Sequence, residues 1–193
     1  MDKYNLDSAF NKWLSAIKLE QLPIAIREKI LTFDKYQKKL SFFRALQLFL
    51  HAINEEKESF RDIDTAFVSE ELQKEIGIDS ISYSQLSRVL SKMDTEILLA
   101  IFYQLLSQIK KNRPVDKRNS LYLIDSSTFS LNQNLYRWAD FRRTKSGVKL
   151  HLKLCFMDNE HLYPDDFTIT NAIEHDTNQL EVLVNQPEAT LIP

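Results

Sequence analysis

A strict alternation between residues 148 and 156 constrains this chain more than any other feature. Val148, Leu150, Leu152, Leu154 and Phe156 hold one parity, and Lys149, His151, Lys153 and Cys155 hold the other. A period of two sends these sets to opposite faces of a β-strand. Upstream, the apolar run Leu121 to Ile124 leads straight into Asp125, which predicts a second strand ending in a carboxylate. A connection rich in Arg, Lys and aromatic residues joins the two. Two strands flanking a basic connection, with a carboxylate at a strand end, point to chemistry on a polyanion.

The charge distribution agrees. The net charge is −2, but residues 110–153 hold 11 basic and 3 acidic side chains, whereas residues 154–193 hold 8 acidic and no Lys or Arg. A basic centre beside an acidic end fits a nucleic-acid enzyme with metal-binding carboxylates. The competing reading is a solvated basic face paired with the acidic segment.

Other classes fall away. The two glycines, Gly77 and Gly147, form no Gly-rich phosphate loop. The single cysteine, Cys155, rules out an internal disulfide and suits a reducing cytoplasm. The first ten residues lack the pattern of a signal peptide. Leu40 to Ile53 is too short and too polar to span a bilayer. His51, His151, His161 and His175 do not fall into a zinc spacing, and no nucleophile-elbow motif is present.

Residues 1–113 read as a helical domain. Phe10, Trp13, Leu14 and Ile17 follow helical spacing behind a cap at Asp7 or Ser8. Pro23 opens a short helix ending near Leu31. Leu40 to Ile53 is the expected buried helix. Phe60 to Ile76 reads as one amphipathic helix stopped by Gly77. Asp94 caps a helix with the stripe Ile97, Leu98, Ile101, Leu105 and Ile109. Leu72 to Ile76, a turn, and Tyr83 to Met93 have helix-turn-helix spacing. The second helix would turn Ser84, Gln85, Ser87, Arg88 and Lys92 outward, and Gln85 and Arg88 are candidate DNA contacts. The bland alternative is an ordinary helical corner.

Residues 120–193 read as the start of an α/β domain. Strands are expected at Leu121–Phe129, Val148–Met157 and Tyr163–Thr170, then a helix over Asp176–Val184, then the approach to a fourth strand at Ala189–Ile192. The chain is expected to stop before that domain is complete. The fold class is therefore α+β or α/β, with a helical N-terminal domain followed by an incomplete mixed sheet.

Two groups of residues carry the chemistry. Asp125 follows four apolar residues, and a carboxylate buried there needs a partner, for which a divalent cation is the strongest candidate. Alternatively Asp125 begins a turn. Arg137, Arg142, Arg143, Lys145, Lys149 and Lys153 lie within seventeen residues, interleaved with Tyr136, Trp138 and Phe141. The cations suit phosphate contacts. Aromatic rings can stack on unpaired bases, but Trp138 and Phe141 are expected to pack into the core.

In order, Asp125-Ser126-Ser127-Thr128, then Trp138-Ala139-x-Phe141-Arg142-x-Thr144-Lys145-x-Gly147-Val148-Lys149-Leu150-His151, then Thr170 and His175-Asp176, resemble the DDE transposases of bacterial insertion sequences, in their IS-four-like subgroup. The resemblance covers roughly residues 121–184. It implies an RNase H-like catalytic domain. It also implies three acidic residues holding two Mg²⁺ or Mn²⁺ ions, with double-stranded DNA at transposon ends and target as partner, and self-association of the complete enzyme. Such a protein works in the bacterial cytoplasm at the nucleoid. Asp125 matches the first acidic residue. The second and third stand in motifs that this sequence lacks, and Asp176 matches a non-catalytic position. Residues 1–193 alone are thus expected to bind DNA without cutting it. The other readings are a non-enzymatic, regulatory DNA-binding protein and an unrelated RNase H-like nuclease.

Overall fold

The computed structural model describes residues 14–66, 70–112, 121–142, 145–158, 161–184 and 190–192. The chain forms two compact units, Met1–Ser107 and Gln108–Pro193. The first is helical and the second is built on a sheet, so the fold is α+β.

The described part of the helical unit opens on a 3-10 turn, Leu19–Gln21, followed by α1 (Ile24–Asp34), α2 (Phe42–Asn54), α3 (Phe60–Ala66), α4 (Glu70–Ile76), α5 (Tyr83–Leu90) and α6 (Thr95–Asn112). Local chemistry sets these boundaries. Ser41 accepts a bond from the Arg44 amide and caps α2. Ser82 and Gln85 form a reciprocal capping box on α5. The Asp94 carboxylate accepts from the Glu96 amide at the start of α6, 2.9 Å away. Gly77 ends α4 with φ +70, the left-handed conformation that a side chain disfavours.

The packing follows from α2, whose Phe42, Ala45, Leu46, Leu48 and Ala52 are all buried. One cluster joins Ala45, Leu48 and Ala52 to Ile63, Leu72, Ile76, Leu86 and Val89. A second joins Phe42 and Leu46 to Ile30, Ile97 and Ile101. Each fully buried large side chain contributes about 2 kcal/mol relative to exposure. Of the expected helix over residues 60–76, Phe60–Ala66 and Glu70–Ile76 are helical, and residues 67–69 lie outside the described residues. Ile63 and Leu72 still reach the same core. Of the expected N-terminal helix, Phe10 and Trp13 lie outside the described residues; Leu14 and Ser15 are helical and Ala16 leaves the helix. Ile109, placed in the apolar stripe of α6, is 37% exposed.

The sheet unit consists of β1 (Leu121–Leu131), β2 (Asp140–Arg142), β3 (Lys145–Asp158), β4 (His161–Asn171), α7 (Asp176–Leu183) and β5 (Thr190–Ile192). β3 is the hub. It pairs antiparallel with β1 along one edge and with β2 and β4 along the other. α7 then leads to β5, which pairs parallel with β1, Leu121 with Thr190 and Leu123 with Ile192. Only the three-residue β2 has no counterpart in the sequence reading.

The alternation in β3 is real, but the buried face is the polar one. His151, Lys153 and Cys155 are buried together with Tyr122 and Tyr163, while Val148, Leu150, Leu152, Leu154 and Phe156 are all half-buried. The reason is α7, which packs against β3 and β4. Its Asp176 and Gln179 bond to side chains of the polar face, and its Leu183 is 1% exposed.

Candidate functional site

Asp125 stands on β1 opposite Leu152 of β3. The pairing of β1 with β5 ends two residues earlier, at Leu123. One flank of Asp125 is therefore covered by β3, and the other is open among the described residues. The side chain is exposed, and its Oδ1 accepts from the Ser126 amide at 2.8 Å. The burial cost expected from the apolar run before it does not arise, because β1 runs out to the surface here and Ser127 to Ser130 are also exposed. Among the described residues no group of three His, Cys, Asp or Glu side chains is placed to hold a metal ion.

A polar network lies on the opposite face, beginning one residue along. Ser126 pairs with His151 across the sheet. His151 Nδ1 lies 3.4 Å from Asp176 Oδ1, and its Nε2 lies 2.9 Å from the Thr170 hydroxyl. Lys149 donates to Asp176 at 3.2 Å and to the Glu174 carbonyl at 2.8 Å. Burial holds His151 below its ordinary value, outweighing the attraction of Asp176. The ring is therefore neutral near pH 7. It can donate through Nδ1 to Asp176 and accept the Thr170 hydroxyl at Nε2. Partial burial pushes Asp176 up, but hydrogen bonds from Lys149 and Ser126, with the charges nearby, more than offset it and leave the carboxyl below its usual range.

A second network engages Lys153. Its ammonium lies 3.0 Å from Asp165 and 4.6 Å from the centre of the Tyr122 ring. Lys110 reaches the same carboxylate at 2.6 Å. Burial pushes Asp165 up, and the two ammonium groups more than reverse that, holding it below the ordinary carboxylate range. Burial and the neighbouring Cys155 push the Tyr163 phenol well up.

These contacts divide the basic residues. Lys149 and Lys153, expected to face phosphates, spend their charges on carboxylates within the unit, with side chains only 15% and 7% exposed. The physical reason is again α7 and the buried polar face. Arg137 and Lys145 are exposed. Arg143 and the side chain of Arg142 lie outside the described residues.

The aromatic residues of the connection are a correction. Trp138 is 64% and Tyr136 41% exposed, and neither packs into the core; Phe141 is half-buried. The turn after β1 is wound on Asn132, whose carbonyl accepts from the Leu135 and Tyr136 amides. Ala139, fully buried, anchors its end and accepts from the Gly147 amide at 2.8 Å. Gly147 is needed there, because a Cβ would lie 3.0 Å from the Phe129 carbonyl oxygen. With the small Ala139 occupying the interior, the residues just before it are left at the surface. Leu135, Tyr136, Arg137 and Trp138 thus form a rim that is apolar, aromatic and basic at once.

In the helical unit, the second helix of the corner shows the face read from its spacing. Leu86 and Val89 are buried, and Ser84, Gln85, Ser87, Arg88 and Lys92 are exposed. Gln85 also serves the capping box, so one of its polar ends is already committed. No helix among the described residues is long and apolar enough to cross a membrane.

The sequence is similar to the probable transposase for insertion sequence element IS5377 of Geobacillus stearothermophilus, at 26% identity over 117 residues. That stretch covers 56% of this chain and 30% of the relative. The chain thus matches less than a third of that relative's length. No protein-family model and no solved structure matches.

Proposed function

We propose that this chain belongs to a DNA transposase of the DDE type, in which an RNase H-like sheet presents Asp125 as one ligand of a divalent-cation site. The topology supports this most directly. Three long antiparallel strands, a helix and then a strand parallel to the first are the arrangement expected of an RNase H-like sheet. The similarity to a probable insertion-sequence transposase points the same way.

The residues present fit such a group in part. Asp125 is an exposed oxygen donor with one open flank, as a hard cation requires. One carboxylate seldom holds Mg²⁺ against water, so residues 1–193 alone would bind DNA without nicking it. When bound, Mg²⁺ or Mn²⁺ would supply the Lewis acidity for hydrolysing or transferring a phosphodiester. The chain's own part is to fix Asp125. Antiparallel pairing with β3 sets its position, and the Ser126–Asp176–His151 network on the opposite face holds the strand on which it stands.

DNA is the proposed partner. Arg137 and Lys145, with Arg142 and Arg143, would neutralise phosphates, and Tyr136 and Trp138 would stack on unpaired bases. Gln85 and Arg88 of α5 would contact duplex DNA from the helical unit. Cleavage of a labelled transposon-end duplex by the complete enzyme tests the reading. Asp125→Asn should abolish Mg²⁺-dependent nicking and leave DNA binding intact. Nicking at the wild-type rate would remove Asp125 from the site.

A further inference from the structure

The helical unit contains a groove of about 340 Å³ between the segment after α1 and the exposed face of α5. Its floor is apolar, formed by the buried Leu40, Ile81 and Val89. Its walls carry Lys38, Lys39, Arg88 and Lys92, and among the described residues no acidic side chain lines it. All four cations are exposed. A neighbouring hollow shares Tyr36, Gln37 and Lys92 but also contains Glu28, Lys29 and Asp94. There, Lys29 is paired with Asp94 and Glu96. The positive charge is thus neutralised on one side of the Tyr36–Lys92 ridge and concentrated on the other.

The basic segment is also held in place. The Asp34 carboxylate accepts from the Phe42 amide at 2.6 Å, closing the segment from below. Arg44 donates to the Lys39 carbonyl at 3.1 Å. The same guanidinium lies over the α4–α5 turn, where a Cβ on Gly77 would come within 3.2 Å of its Nη2. Arg44 therefore bonds the backbone of Lys39 and lies against the turn that precedes α5. Four cations lining one groove, with the backbone of Lys39 held by Arg44, are preorganised for a ligand with repeating negative charge. Preorganisation lowers the ordering cost of binding.

We infer that this groove seats the phosphodiester backbone of duplex DNA, with Lys38, Lys39, Arg88 and Lys92 contacting consecutive phosphates beside α5. This rests on the proposed DNA-binding reading and adds to it the segment before α2, which lies outside the helix-turn-helix corner. The contacts are made to the backbone, so the groove contributes affinity and register rather than base selectivity.

The test is fluorescence-anisotropy binding of the 193-residue chain to a random-sequence duplex across a salt series. It compares wild type, Lys38→Ala/Lys39→Ala/Lys92→Ala, and Arg137→Ala/Lys145→Ala in the other unit. The three groove lysines are exposed and make no ion pair among the described residues, so the variant should fold as wild type does. The expected result is a salt slope reduced by about 0.9 for each phosphate partner removed from the groove. Wild-type binding with an unchanged slope in that variant would overturn the groove while leaving the DNA reading intact. No binding by wild type would overturn both. Loss of binding to phosphatidylserine vesicles with unaltered DNA binding would assign the groove to a lipid headgroup and overturn the inference.

Discussion

Lys153 Nζ lies 3.0 Å from Asp165 Oδ2, and neither side chain is more than 10% exposed. The β3–β4 register slips between Lys153, which faces Asp166, and Leu154, which faces Pro164, and Asp165 is the extra residue at that irregularity. Removing one member of a buried pair strands the other charge. Asp165→Asn should therefore destabilise the sheet unit by about 3 kcal/mol. Lys153→Met should cost less, since Lys110 still pairs with the carboxylate. Urea unfolding followed by hydrogen exchange of the β3 amides measures both. A loss below about 1 kcal/mol for Asp165→Asn would show that the pair is not held as described.

The pH dependence has two windows. His151 titrates lower when folded, so the unfolded chain binds its proton first. Stability from this residue is complete above the ordinary value near 6.5 and declines as pH falls below it. Burial lowers His51 in the helical unit as well. Asp165 and Asp176 are depressed carboxylates. Their contribution is present above about pH 4 and is lost as pH falls through their folded values. His151→Gln should shrink the drop in Tm between about pH 7 and pH 5 and leave the acid-limb loss unchanged. An unaltered drop would mean that His151 is not held neutral.

Gly77→Ala should destabilise the helical unit by about 1–2 kcal/mol, the cost of a side chain at positive φ. It would also crowd the Arg44 guanidinium, which bonds the Lys39 carbonyl. Thermal unfolding and DNA anisotropy on the same variant separate the two effects. A variant as stable as wild type would show that the turn relaxes to another conformation.

Trp138→Ala should leave stability within about 0.5 kcal/mol, because the ring is 64% exposed. Binding to single-stranded DNA should weaken by about 1–3 kcal/mol if the ring stacks on a base. Equal affinity in the two proteins would reduce Trp138 to an unused surface residue.

The local chemistry of the chain is legible in its sequence. Gly77 as a stop, Asp94 as a cap, the outward set on α5 and the parity of β3 all follow from short-range rules. Sidedness does not. Alternation separates Leu152 from His151, yet only the position of α7 decides which of them is buried. The same holds for Trp138, whose exposure depends on Ala139 filling the interior beside Gly147. The charges of Lys149 and Lys153 are visible in the sequence, whereas their partners Asp176 and Asp165 lie on elements that meet them only in three dimensions. The groove at Lys38 and Lys39 escapes a sequence reading because its two walls come from segments some fifty residues apart; the signal available is a Lys-rich run without a helical pattern.

The parallel pairing of β1 with β5 also governs the order in which the sheet can form. β1, β3 and β4 follow one another through short connections, and antiparallel neighbours of that kind close small loops and assemble early. The β1–β5 pairing joins Leu121 to Thr190 and must wait for the whole intervening chain. During synthesis, the flank of β1 that carries Asp125 is therefore the last edge to gain a neighbour. Until then it is an open template for other strands. The same geometry that leaves room beside Asp125 makes this edge the point at which folding on the ribosome is most easily diverted into aggregation.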